Sequence, residues 1–105
     1  MEIEIYKRRT AGWQATTAVP MPEGRVLEIR TSKTRTGLVS RAQVYRIEGY
    51  MRSYVLFGDY SAALLESDKR ATEKSVMDLH RAALARIDDT LAEAKAFYEA
   101  KEAKQ

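Results

Sequence analysis

A chain of 105 residues, 45% hydrophobic and 31% charged, has the size and composition of one globular domain able to bury its own core. With no cysteine it can form no disulfide, thiol nucleophile or thiolate metal site, and this fits a reducing, cytoplasmic setting. The net charge of +3 is unevenly placed: residues 1–58 hold ten Lys/Arg against five Asp/Glu, a balance of +5, whereas residues 59–105 hold eight against ten, a balance of −2. A basic front half points to an anionic partner.

Met1 to Arg9 alternates charge with Ile and Tyr and has no apolar run of signal-peptide type. No stretch approaches the ~20 apolar residues that span a bilayer, so no membrane is expected among the partners. Gly12, Gly24, Gly37, Gly49 and Gly58 mark turns at intervals of 12, 13, 12 and 9, the rhythm of short antiparallel strands. The first strand is expected over Glu2 to Arg9, with Ile3 and Ile5 on one face. The second runs Trp13 to Val19, with Trp13, Ala15, Thr17 and Val19 together, and ends at Pro20-Met21-Pro22-Glu23-Gly24, where two prolines cannot donate to a ladder. The third runs Arg25 to Ser32, with Leu27, Ile29 and Thr31 facing one way.

A basic turn, Lys33 to Gly37, leads to a fourth strand over Leu38 to Ile47, rich in β-branched and aromatic residues. Glu48-Gly49 reads as a hairpin turn, and Tyr50 to Phe57 as the last strand, with Met51, Val55 and Phe57 on one face and Tyr50, Arg52 and Tyr54 on the other. Gly58-Asp59 should break that strand, with Asp59 capping a short helical turn over Ser61 to Glu66 and a polar loop at Ser67 to Arg70. The C-terminal third, Ala71 to Ala103, reads as one long helix. Met77, His80, Leu84, Ile87, Leu91, Ala94 and Tyr98 follow a heptad spacing, flanked by Val76, Ala83 and Phe97, and Asp68 or Thr72 is the candidate N-cap.

The expected fold is therefore α+β: a four- to five-stranded antiparallel meander (1–58), a connector (59–70) and one long C-terminal helix (71–103), all in a single domain. Strands with one apolar face need a cover, and the helix is the element able to supply it. A helix over 71–103 would span about 50 Å, but an eight-residue strand only about 27 Å. The overhanging apolar residues then call for a homodimer built on Leu84, Ile87, Leu91, Ala94 and Tyr98. Lys95, Lys101 and Lys104 suit the helix C-terminus.

Catalytic signals are sparse. His80 is the single histidine, and its helix neighbours Val76, Met77, Ala83 and Leu84 offer no carboxylate or hydroxyl, so it reads as a packing residue. Asp88 and Asp89 point about 100° apart on a helix and read as a solvated face beside Arg86 and Lys95. The glycines are isolated, no nucleophile motif occurs, and one histidine without cysteine makes a zinc site improbable. No enzyme activity, cofactor, metal or small-molecule substrate is expected.

The positive signal is basic and aromatic residues interleaved on strands. Arg30, Lys33 and Arg35 cluster near one turn. Arg41, Arg46 and Arg52 lie on the last two strands among Tyr45, Tyr50 and Tyr54, and Tyr50, Arg52 and Tyr54 share a face. Arginine on phosphate and rings on unpaired bases is how single-stranded nucleic acid is held. Exposed strands favour Tyr and Arg for their own sake, so a non-catalytic protein-interaction or assembly role is the alternative. The element order, a twisted antiparallel sheet followed by a dimerising helix, resembles the Whirly and positive-cofactor transcriptional-coactivator fold over most of the chain. That resemblance implies single-stranded DNA binding through the sheet and dimerisation through helices.

Overall fold

The computed structural model describes residues 1–48 and 54–104. Five strands, β1 (Glu4–Arg8), β2 (Gly12–Pro20), β3 (Arg25–Lys33), β4 (Leu38–Glu48) and β5 (Tyr54–Ser67), form one antiparallel meander in chain order. Two helices follow, α1 (Glu73–Leu84) and α2 (Ile87–Ala103). The α+β expectation and the five-strand count hold, and three boundaries differ.

The alternation read from β2, β3 and β4 sets the covered face. Ala15, Thr17, Leu27, Ile29, Thr31, Leu38, Ser40, Ala42 and Val44 are all buried on the side the helices occupy. Cross-strand pairs such as Thr17↔Ile29 and Leu27↔Val44 keep those side chains in register. The opposite, outer face carries Thr16, Glu28, Arg30, Arg41, Gln43 and Tyr45, and no helix lies over it.

The first difference is β5. Ser61 to Glu66 is not a helical turn but the continuation of the strand, paired through Ala62↔Ala42 and Ser61↔Gln43. Ala, Leu and Glu favour helix locally, yet β4 without this partner would leave its ladder open for most of its length. Gly58-Asp59 does not end the strand either: the extra residues are absorbed as a bulge opposite Val44, between the Gln43↔Ser61 and Tyr45↔Phe57 pairs. Asp59 does not cap a helix; it forms an ion pair with Lys101 at the end of α2. The expected Glu48-Gly49 turn runs out of the described residues, the last described pair being Glu48↔Tyr54, and Tyr50, Met51 and Arg52 lie outside them too.

The second difference is the helix, which breaks at Ala85-Arg86. Thr72 caps α1: its Oγ1 accepts from the Ser75 N–H at 3.2 Å, and Ser75 Oγ accepts from the Thr72 N–H at 3.1 Å. At the far end the Arg86 N–H turns to the Ala83 carbonyl at 3.1 Å, and Arg86 takes φ −107°, ψ 16°, outside the helical basin. Asp88 and Asp89, exposed, thereby fall in the first turn of a new helix, where carboxylates suit the positive end of its dipole.

The third difference is the seam. Across the break the buried positions are Val76, His80, Ala83, Ile87, Thr90, Ala94 and Tyr98, so Val76, Ala83 and Thr90 replace the expected Met77, Leu84 and Leu91. Ala83 lets α1 lie close on the sheet, α2 stands further off, and Leu84 and Leu91 pack at the flanks of the same core. Ile87, Ala94 and Tyr98 join Met21, Leu27, Ile29, Ala42, Val44 and Tyr60 in that core. The stripe expected to need a second chain is covered by its own sheet. The expected overhang assumes an eight-residue strand, whereas β4 has 11 residues and β5 has 14, about 36 and 46 Å of sheet. Ion pairs of Arg25 with Glu102 (3.3 Å) and of Lys101 with Asp59 tie down the last turns of α2.

Among the described residues no helix is long and apolar enough to cross a membrane.

Candidate nucleic-acid interface

In a meander alternate turns fall at the same end of the sheet. The β1–β2 turn, the β3–β4 turn and the chain leaving β5 therefore meet at one pole, and backbone contacts hold them together. The Trp13 N–H donates to the Ala71 carbonyl at 3.3 Å, and the Thr34 N–H to the Gly37 carbonyl at 2.8 Å. Gly37 lies so close to the Ser67 carbonyl that a methyl there would overlap it.

Between the three segments opens a cleft of about 610 Å³, lined by Arg9, Thr10, Gly12, Lys33 to Gly37 and Asp68 to Ala71. Arg9, Lys33, Arg35, Lys69 and Arg70 bring five cations to it and Asp68 one carboxylate. All five are exposed, and none takes part in an ion pair among the described residues. Thr10, Thr34 and Thr36 add hydroxyl donors on the same walls. Unpaired guanidinium and ammonium groups beside hydroxyls form a receptor for anionic oxygen, phosphate above all.

The residues expected to bind nucleic acid divide into groups. Lys33 and Arg35 stand in the cleft. Arg41 borders it, lining a neighbouring hollow with Thr34, Thr36, Glu66 and Asp68, and donates to Ser61 Oγ at 3.4 Å. Arg30 lies opposite Arg41 on the outer face but is ion-paired with Glu28 at 3.1 Å. Arg46 is at the other end of the sheet, opposite Arg25. Tyr50 and Arg52 lie outside the described residues, and Tyr54 is described only as the first residue of β5. Of the expected residues, Lys33 and Arg35 thus stand in the cleft with Arg41 at its border, and the Tyr50, Arg52 and Tyr54 strip lies outside the described side chains.

Arg9, Lys69 and Arg70 are not among the expected site residues, since Arg9 reads as the end of a strand and Lys69 and Arg70 as part of a polar loop. The parity of meander turns was the available signal. Tyr45 and Phe57 were also missed as a pair. They face each other across β4 and β5 with ring centroids 5.9 Å apart, and Phe57 is 55% exposed. On the outer face Tyr45 follows Arg41 and Gln43 at period two, about 13 Å beyond Arg41. Partial burial, then the carboxylates of Glu28 and Glu4, push the Tyr45 phenol above its ordinary range, so the side of this ring toward β1 and β3 is acidic.

His80 is closed off from any ligand. It is fully buried, with Nε2 2.8 Å from Thr17 Oγ1 and Nδ1 2.8 Å from Thr31 Oγ1, and Thr31 Oγ1 is 2.6 Å from Ser40 Oγ. The orienting hydroxyls come from β2, β3 and β4, so the helix sequence around His80 does not reveal them. Burial lowers its pKa to about 4, and the ring is neutral at physiological pH.

Comparison with family models, curated proteins and solved structures finds no match to this chain.

Proposed function

We propose that this chain is a small, non-catalytic nucleic-acid-binding protein that takes a single strand. Its backbone phosphates enter the polar cleft at Arg9, Lys33, Arg35, Lys69 and Arg70, and the strand continues past Arg41 onto the outer face toward Tyr45 and Phe57. The observation that carries this is the cleft: five exposed, unpaired cations from three separate segments, against one carboxylate. A sheet face free of α1 and α2, with exposed Phe57 against half-buried Tyr45 toward its far end, suits stacking of unpaired bases. The cleft is complete within one protomer, so binding needs no helix pairing; the resemblance to the Whirly and coactivator fold would then extend to the sheet face alone.

Fluorescence anisotropy of a labelled mixed-sequence single strand, and of its duplex, at about 50 and about 200 mM salt tests this. The single strand should bind more tightly than the duplex and weaken steeply with salt. No binding of either at the lower salt would refute the proposal.

A protein-adaptor role draws on a different observation: Ile47 and Phe57 are 59% and 55% exposed at one end of the outer face. An apolar pair of this kind suits a protein partner, whose binding should be insensitive to competing oligonucleotide.

A further inference from the structure

The end of the sheet opposite the basic cleft holds a second, smaller cavity, bordered by the Tyr45 and Phe57 pair. It is about 230 Å³, lies between the β5 bulge and the last turns of α2, and is lined by Arg25, Val44, Tyr45, Arg46, Phe57, Gly58 and Tyr98, with Asp59 and Lys101 beside them. Tyr98 is 7% exposed and its Oη is wholly buried, yet among the described residues that hydroxyl has no hydrogen-bond partner. Its position is specific: a methyl group at Gly58 would overlap the Tyr98 Oη, so the glycine in the bulge is what admits the phenol to this wall. A buried donor left unmatched is costly, which makes it an anchor for an acceptor that arrives with a ligand.

Charge narrows the ligand. Arg25 is ion-paired with Glu102 and lies 4.1 Å over the Tyr98 ring, and Lys101 is paired with Asp59. Arg46, exposed, forms no ion pair among the described side chains and adds a third positive charge at this end. One free guanidinium and one phenol donor match a single carboxylate: the guanidinium takes the charge and the hydroxyl donates to an oxygen. Val44, Phe57 and the Tyr98 ring supply apolar walls. The volume lies below the ~300 Å³ at which drug-sized sites begin, so the apolar body is no larger than a ring or a short branched chain.

We propose that this cavity binds a small organic monoanion, a carboxylate carried on a ring-sized apolar group, with Arg46 and Tyr98 as its polar contacts. This departs from the sequence expectation of no small-molecule partner and rests on no residue of the basic cleft at the other pole.

Benzoate is the probe, with benzyl alcohol as its uncharged analogue and inorganic phosphate as an anion without an apolar body. Each is titrated into the full chain to about 10 mM, following both melting temperature and amide chemical shifts. Benzoate should raise the melting temperature saturably and shift amides of Gly58, Asp59 and Tyr98; the two controls should bind at least about tenfold more weakly. Tyr98→Phe keeps the ring and removes the unmatched donor. The free variant should melt no lower than the parent while its benzoate affinity falls about tenfold, a combination that a purely structural hydroxyl would not produce. Arg46→Gln, at an exposed position, should lose benzoate binding to a similar degree. The proposal is overturned if benzoate gives no saturable shift, if benzyl alcohol or phosphate binds as well as benzoate, or if both variants bind benzoate like the parent.

Discussion

A neutral imidazole has one nitrogen that donates and one that accepts, and hydroxyls can answer either. Thr17 and Thr31 do this for His80, and Ser40 extends the chain of hydroxyls into β4. The ring is therefore a polar crosslink between α1 and three strands in an otherwise apolar layer. Its pKa falls from 6.5 to about 4 on folding, so between those values the unfolded chain binds the proton that the folded one refuses. Stability from this residue is complete above pH 6.5 and is lost as pH falls toward 4, up to about 3 kcal/mol in all. Asp78, kept below the ordinary carboxylate range by its hydrogen bond from Lys74, acts in the same direction only at more acidic pH. Urea midpoints at pH 7.5, 5.5 and 4 should therefore fall stepwise in the parent. His80→Gln, weaker overall by about 1–3 kcal/mol, should show a flatter dependence. A ring titrating near 6.5 by NMR would contradict the closed network.

At the scale of elements, the helix pair shows why a seam can be found while its neighbours are misassigned. The heptad rhythm from Ala71 to Ala103 located His80, Ile87, Ala94 and Tyr98 on the covered face, because periodicity reports which side is apolar. It places Met77, Leu84 and Leu91 at the centre of that side because they are larger, yet the positions turned inward are Val76, Ala83 and Thr90. The break at Ala85-Arg86 has no proline or glycine to announce it. It is a tertiary bend that lets both halves of the stripe reach the sheet. Two substitutions separate these ideas. Leu91→Asp puts a charge at the edge of the intrachain core, so it should cost about 2–4 kcal/mol in chemical unfolding while leaving the mass in solution unchanged. A stable fold with a lower mass would instead restore helix-mediated assembly. Arg86→Gly falls where the backbone has already left the helical basin and should cost only a few tenths of a kcal/mol, against about 1 kcal/mol for Ala96→Gly within α2. Equal costs would mean that the helix runs straight through Arg86 in solution.

Over the whole molecule, the order of the sheet was readable because turn residues and alternating strands are local signals. The length of β5 was not: Ala62, Ala63, Leu64 and Leu65 carry a helix-forming composition, and only the need of β4 for a partner makes them a strand. The basic surface was half legible for the same reason. Lys33 and Arg35 stand out in one turn, but Arg9, Lys69 and Arg70 reach them only through the parity of the meander, a property of the assembled sheet. That parity leaves the two ends chemically different: five free cations at the pole of the β3–β4 turn, and at the other end Arg25 and Lys101 already paired with carboxylates. Charge reversal can tell the ends apart. The affinity for a single strand should fall with salt at a slope set by the number of phosphates contacted, about 0.7 per phosphate. Lys33→Glu, Arg35→Glu and Arg70→Glu together should lower that slope by about 2 and weaken binding at every sequence tested, since phosphate contacts carry no base information. Arg46→Glu removes the same kind of charge from the opposite end, so it should leave the slope within experimental scatter. If Arg46→Glu changed the slope as much as a substitution in the cleft, phosphate contacts would extend to the far end of the sheet, and the polar cleft would be only one of them.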